Sequence, residues 1–149
     1  MSWQLHRAEV EDLDCLTPLF DGYRRFYEQE GDVDRARAFL QERLQAQDTV
    51  LFWAHKGDGR GGGFTHLFPL WSSVRTGRLW LLNDLYVAPE ARRQGVARLL
   101  MQQALDFARA DGALGVTLST AKTNHQASAL YRDMGFVLDE EFDSYEHSF

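Results

Sequence analysis

Apolar residues recur at helical spacing in four parts of the chain and gather into strand-like runs between them. Leu13, Leu16, Phe20, Tyr23 and Tyr27 fall on one face of a helix beginning near Glu11, with Cys15 off that face. Val33, Ala36, Phe39, Leu40 and Leu44 predict a second helix over about 33–46. The third and longest helix, about 91–111, turns Val96, Leu100, Ala104, Phe107 and Ala108 inward and ends at Gly112, a natural C-terminal cap. A short fourth helix carries Ala127, Leu130, Tyr131 and Met134, starts at the cap Asn124 and stops at Gly135.

The strand signals fall at 3–8, 49–55, 63–69, 78–87 and 115–120, with two closing strands at 136–140 and 142–147. The glycine-rich turn at 57–63 joins two of them as a hairpin. Residues 78–87 are apolar on both faces, which predicts a central strand, and 115–120 reads as another buried one. Against that background the polar pair Asn83 and Asp84 stands out. Helices and strands mixed in this order predict one α/β (α+β mixed) domain over 1–149. A dinucleotide-binding fold would need a Gly-x-Gly-x-x-Gly turn after the first strand, and none follows it.

Composition narrows the function. The net charge of −6 disfavours sequence-independent nucleic-acid binding and suits a cationic partner. Acidic residues gather at Asp139, Glu140, Glu141, Asp143 and Glu146, a pattern that also describes a solvated face. With Cys15 as the only cysteine, no intrachain disulfide can form. The first residues lack the apolar core of a signal peptide, and no apolar run approaches the roughly 20 residues that span a membrane. A cytoplasmic protein without membrane contact is expected. The five histidines show no metal-ligand spacing, so no metal site is expected.

Two stretches carry candidate chemistry. Arg92, Arg93, Gln94, Gly95, Val96 and Ala97 open the long helix, and its first turn combines unpaired N–H groups with the positive end of the helix dipole. Gly95 and Ala97 keep those donors accessible, and the two arginines add charge, so the stretch fits a diphosphate; two surface arginines at an ordinary helix start would look similar. Asp84 is the second candidate. A carboxylate in an apolar strand is costly to bury, so it is either paired with an arginine or chemically useful.

The run LeuTyrValAlaProGluAlaArgArgGlnGlyValAla is followed 27 residues later by AsnHisGlnAlaSerAlaLeuTyrArgAspMetGlyPhe. Together they resemble the GNAT superfamily of acyl-CoA-dependent N-acyltransferases. The first matches that family's (Gln/Arg)-x-x-Gly-x-(Gly/Ala) loop at Arg92, Gly95 and Ala97; the second matches its Asn-x-x-Ala-x-x-Leu-Tyr-x-x-x-Gly-Phe element from Asn124 to Phe136. LeuAsnAspLeuTyrVal and TyrArgArgPheTyrGlu are similar to small bacterial members near the spermidine/spermine and histone-type acetyltransferases.

The resemblance implies a mostly antiparallel mixed sheet, splayed at its middle strands and flanked by about four helices. It further implies acetyl-CoA as co-substrate, with its pantetheine arm on the backbone of Tyr86 and Val87 and its diphosphate at 92–97. Asn124 would contact the arm as well as cap its helix. Tyr131 stands where the family keeps a tyrosine near the sulfur and would protonate the thiolate, although its helical stripe also suits core packing. Backbone N–H groups within 84–87 would stabilise the oxyanion. Asp84 would orient or deprotonate the amine. The polyamine enzymes carry Glu where Asn83 stands, and Asn cannot act as a base.

Tyr23, Phe26, Tyr27 and Trp71 are candidates to wall the acceptor site, where aromatics at helical spacing equally suit a core. The expected activity is acetyl transfer by direct attack of a primary amine: a small molecule such as a polyamine-like or amino-sugar amine, or a peptide or protein amine. The chain would act as a homodimer. The competing class is a catalytically silent acyl-CoA-binding or sensing module.

Overall fold

The structure, a computed structural model, describes residues 2–149. They form two compact units, the first ending at Ser119 and the second spanning Thr120–Phe149. The first holds β1 (Gln4–Arg7), α1 (Leu13–Phe26), α2 (Val33–Ala46), β2 (Val50–His55), β3 (Gly61–Ser72), β4 (Gly77–Val87), α3 (Val96–Ala110) and β5 (Gly115–Thr117); the second holds α4 (His125–Asp133). The sheet order is β1-β2-β3-β4-β5, antiparallel except for the parallel β4–β5 pair.

The central strands are apolar on both faces because helices cover both. On one face Leu13, Leu16, Leu19 and Phe20 of α1 pack with Leu51, Trp53, Phe64 and Tyr86. On the other, α3 buries Val96, Leu100, Ala104 and Ala108, and its Phe107 meets Phe52 and Trp80 edge-on. Each fully buried Val, Leu or Phe among them contributes about 1.5–3 kcal/mol, and the two alanines less, so both helices are firm platforms. Buried Asp21 links α1 to α2: it accepts from Arg25 Nε at 2.9 Å and from the backbone N–H of Asp32 at 3.0 Å. Asp32 in turn caps α2 through Arg35 N–H.

Two irregularities shape β4. Opposite β3, the register steps from Leu67↔Leu82 to His66↔Asp84, which leaves Asn83 as the extra residue of a β-bulge. Side chains alternate faces along a strand, so Trp80 and Asp84 would share a face in a regular one. The bulge breaks that parity: Trp80 meets Phe107 of α3, and Asp84 meets Tyr23 of α1. On its other edge β4 pairs with β5 only at Leu79, Trp80 and Leu81, so the ladder stops there while β4 runs on to Val87. The expected splay is thus found between β4 and β5, the last two strands of the sheet, beyond Leu81.

Three sequence expectations need correction. The long helix begins at Val96 instead of near 91, because Pro89–Ala91 form a single 3₁₀ turn and Arg93 and Gly95 take left-handed φ values of 63° and 78° that α-helix cannot accommodate. The strand expected at 115–120 holds only Gly115–Thr117 and is partly exposed. The closing strands at 136–140 and 142–147 do not form; Asp139 instead accepts the N–H of Glu141 in an Asx turn, and the residues around it are a dense acidic run.

Candidate active site

Asp84 sits at the bulge, 8% exposed, facing α1. Its Oδ1 accepts from the Tyr23 hydroxyl at 2.6 Å and from Asn83 Nδ2 at 3.1 Å. Its Oδ2 faces His66 Nδ1 at 3.6 Å, beyond hydrogen-bond range. Among the described residues no arginine pairs with it, so the structural ion pair open from sequence is absent. Burial pushes the Asp84 carboxyl above the usual range, and the Tyr23 and Asn83 hydrogen bonds pull it partly back.

His66, on β3 directly across from Asp84, is 1% exposed. Its Nε2 lies 2.7 Å from Thr49 Oγ1, and its Nδ1 has no hydrogen-bond partner. Burial holds its pKa down to about 4, with Asp48 raising and Arg43 lowering it. The ring is therefore neutral at physiological pH, and its contact with Asp84 is not an ion pair. Sequence reading passed over His66 for want of metal-ligand spacing. The signal was present, however: a histidine inside the apolar run Phe64–Phe68 is as costly there as Asp84 is in β4.

Tyr23, expected as an acceptor wall, is the donor that fixes Asp84, and its ring lies among Phe64, Tyr86 and Tyr27 at 5.2–5.7 Å. Tyr27 is exposed beside it at the end of α1. Trp71 is not brought to this cluster. It lies on β3 five residues beyond His66, roughly 17 Å along the strand, 69% exposed and stacked under the Arg78 guanidinium.

The backbone of β4 alternates between its two edges. Asp84 O accepts from Thr65 Oγ1, Tyr86 O lies against Gly63, and Ala88 N–H reaches Gly62 O, so 84, 86 and 88 address β3. Val87, and by alternation Leu85, address the edge that β5 has left. Of the two residues expected to offer backbone, Val87 is on the open side, where its carbonyl accepts from Arg92 Nε at 3.1 Å. Tyr86 turns its main chain to β3 and its ring to α1; burial pushes its phenol pKa up.

The turn at 92–97 is preformed. Left-handed Arg93 and Gly95 flank Gln94 in the alternation that lets successive N–H groups converge, and the first N–H groups of α3 follow immediately. Beyond Gly95 the position of a Cβ meets nothing within 4 Å. Arg92 also lies over the Phe26 ring. The exposed side chain of Gln94 is engaged at the surface, bonded to Trp3, Lys56 and the carbonyl of Glu90, which leaves its backbone N–H to the turn. This geometry fits a diphosphate. A separate cavity of about 440 Å³ lies between α1 and residues 58–61, lined by Cys15, Gly22, Arg60, Tyr86 and Glu90 among others; Asp84, Tyr23, Tyr27 and Trp71 do not line it.

In the second unit, Asn124 Oδ1 accepts the N–H of Ala127 at 3.2 Å, the cap expected of it. Tyr131, half-buried on α4, meets Phe136 edge-on after the chain reverses through left-handed Gly135. Among the described residues no group of three or more His, Cys, Asp or Glu could hold a metal ion, and no helix is long and apolar enough to cross a membrane.

The chain belongs to the GNAT acetyltransferases: the model of the Acetyltransferase (GNAT) family matches residues 16–136. It is similar to an uncharacterized N-acetyltransferase of Bacillus subtilis (strain 168), YhfO, at 39% identity over 141 residues, covering 95% of this chain and 94% of that protein. A probable acetyltransferase of Haemophilus influenzae is 33% identical over 104 residues, covering 70% and 71% respectively. A solved structure described as a probable acetyltransferase matches with a TM-score of 0.93 at 39% identity, covering 98% of this chain and 97% of that one. The protein is thus an acyltransferase enzyme of a family that uses acetyl-CoA as co-substrate and acts on amine acceptors.

Proposed function

We propose that the protein moves an acetyl group from acetyl-CoA to a cationic primary amine by direct attack, with Asp84 as the residue that receives the amine's proton, directly or through a water. The observation that carries this reading is a buried carboxylate with no cationic partner among the described residues, re-aimed by the Asn83 bulge beside a strand edge that has lost its neighbour. Acetyl-CoA supplies the activated thioester. The N–H groups of the 92–97 turn and Arg93 bind its diphosphate, and the outward backbone of Val87 and Leu85 pairs with the pantetheine arm. Asn124 adds a contact to that arm, and Tyr131 protonates the departing thiolate.

The acceptor is a polyamine-like or amino-sugar amine, or a peptide amine. The net charge of −6 and the Asp84 carboxylate both favour a cation, whose neutral form must be generated before attack. Tyr23 and Tyr27 line the approach. The test is purified protein with acetyl-CoA and a panel of such amines, read by thiol release. Turnover with any of them supports the reading; tight acetyl-CoA binding with no turnover across the panel assigns the chain to a silent acyl-CoA-binding module instead.

A further inference from the structure

We propose that His66 is a positioning residue for Asp84: its neutral ring presents a lone pair to Oδ2, so that the two residues together hold a single proton, and this makes Asp84 a stronger base. The inference rests on the acetyl-transfer reading for its role in turnover, but the paired geometry stands without it.

The tautomer follows from the contacts. A ring N–H on Nδ1 aimed at an ionised carboxylate closes to about 2.7–2.9 Å, because such bonds are charge-assisted. Here Nδ1 and Oδ2 stand 3.6 Å apart, and Nδ1 is unpartnered although fully buried. Two lone pairs facing each other account for that spacing. The ring proton is then on Nε2, donated to Thr49 Oγ1 at 2.7 Å. The carboxylate is divided in the same sense. Both of its donors, Tyr23 and Asn83, bind Oδ1, which leaves Oδ2 as the oxygen free to take a proton.

The step balances. An N–H bond of the acceptor ammonium breaks, its electron pair stays on nitrogen for attack, and an O–H bond forms at Oδ2. That O–H then donates to His66 Nδ1, the acceptor already waiting there. Attack and collapse release a second proton from nitrogen, which ends on the thiol, and the proton on Asp84 returns to solvent when product leaves. His66 does not itself become charged, since burial keeps its basicity far below that of a free imidazole. The charged and titratable groups around the pair are Asp48 and Arg43 near His66, and Tyr23 and Tyr86 near Asp84; Phe68 closes the ring's remaining side edge-on.

The experiment combines ring ¹⁵N spectra of the histidine-labelled full chain with pH–rate profiles of wild type, Thr49→Val and His66→Asn. In wild type the His66 spectrum should show a protonated Nε2 and a bare Nδ1. Thr49→Val removes the acceptor that holds the tautomer, so the ring should turn its proton to Nδ1 and donate to Asp84. That stabilises the carboxylate and should move the acid limb of kcat/KM down by roughly one pH unit. His66→Asn, whose amide can donate to Oδ2, should move it the same way. A proton found on Nδ1 in wild type overturns the proposal, as does an acid limb that stays in place in Thr49→Val. If no amine is turned over, the acetyl-transfer reading has failed on its own, and the ring spectrum of wild type and Thr49→Val still decides whether the pair exists.

Discussion

Tyr23 and Asp84, 61 residues apart in the chain, are joined by a 2.6 Å hydrogen bond from the phenol to the carboxylate. The bond ties α1 to the bulged segment of β4 and fixes which carboxylate oxygen is occupied. Asp84→Asn keeps the size and an acceptor for Tyr23 while removing charge and basicity. We expect kcat/KM to fall by roughly 10²–10⁴ near neutral pH and to recover partly as pH approaches the amine's own pKa, where deprotonation no longer needs a base. Parallel pH–rate profiles for the two proteins would remove Asp84 from the role of base. Stability should hold or rise, because the carboxylate's raised pKa marks a charge that burial disfavours.

Buried His66 sets a pH dependence of stability with a definite sign. Its folded pKa, about 4, lies below the ordinary histidine value of 6.5, so the unfolded chain binds a proton more readily. Stability from this residue is complete above about 6.5 and is lost as pH falls toward 4, by about 3 kcal/mol in all. Asp84 acts oppositely: with its folded pKa raised, its contribution grows as pH falls. Urea unfolding of wild type and His66→Leu between pH 7 and 4.5 separates the two. The variant should lose less stability over that interval, and equal losses would show that His66 is protonated in the fold as easily as in the open chain.

The face of α3 and the positions of the first four strands were legible because burial imposes periodicity: Val96, Leu100, Ala104 and Ala108 point inward as their spacing predicts. The turn proposed for the diphosphate was marked in the sequence by Gly95 and Ala97, but its backbone form was not. A string of helix formers after Pro89 hides the left-handed Arg93, whose φ of 63° no residue type there announces. The bulge at Asn83 was equally hidden. In a strand buried on both faces, the apolar pattern is the same whichever face a side chain takes, so nothing in it records that Asp84 turns toward α1. His66 follows from the same blindness, since its importance depends on a cross-strand register that only the fold supplies. Trp71 shows the reverse error: its residue type suits an acceptor site, and the register carries it to the far end of the hairpin.

Tyr131→Phe tests the proton donor. The substitution keeps the ring and its edge-on packing with Phe136, so α4 should stay folded and acetyl-CoA affinity should change little. Chemistry alone should slow, kcat falling by about 10²-fold or more with KM for acetyl-CoA nearly constant. A poorer leaving group would magnify the defect, because the phenol's proton matters most when the thiolate is least willing to depart. Wild-type kcat in a folded variant would return Tyr131 to a packing role.

The turn before α3 yields the sharpest separation of binding from folding. Gly95 has φ 78°, and no atom lies within 4 Å of where a Cβ would stand, so a side chain there meets open space. Gly95→Ala pays only the left-handed backbone strain, about 1–2 kcal/mol, and the methyl sits beside the converging N–H groups. Gly95→Asp adds no more strain than that, since Asp tolerates the left-handed region better than Ala, and places a negative charge at the site assigned to the diphosphate. Thermal unfolding should therefore place the two variants close together. Isothermal titration with acetyl-CoA should place them far apart, Gly95→Asp binding at least tenfold more weakly than Gly95→Ala, with the gap narrowing at high salt as the charge is screened. If the two variants bind acetyl-CoA equally well, the diphosphate is held somewhere other than the 92–97 turn.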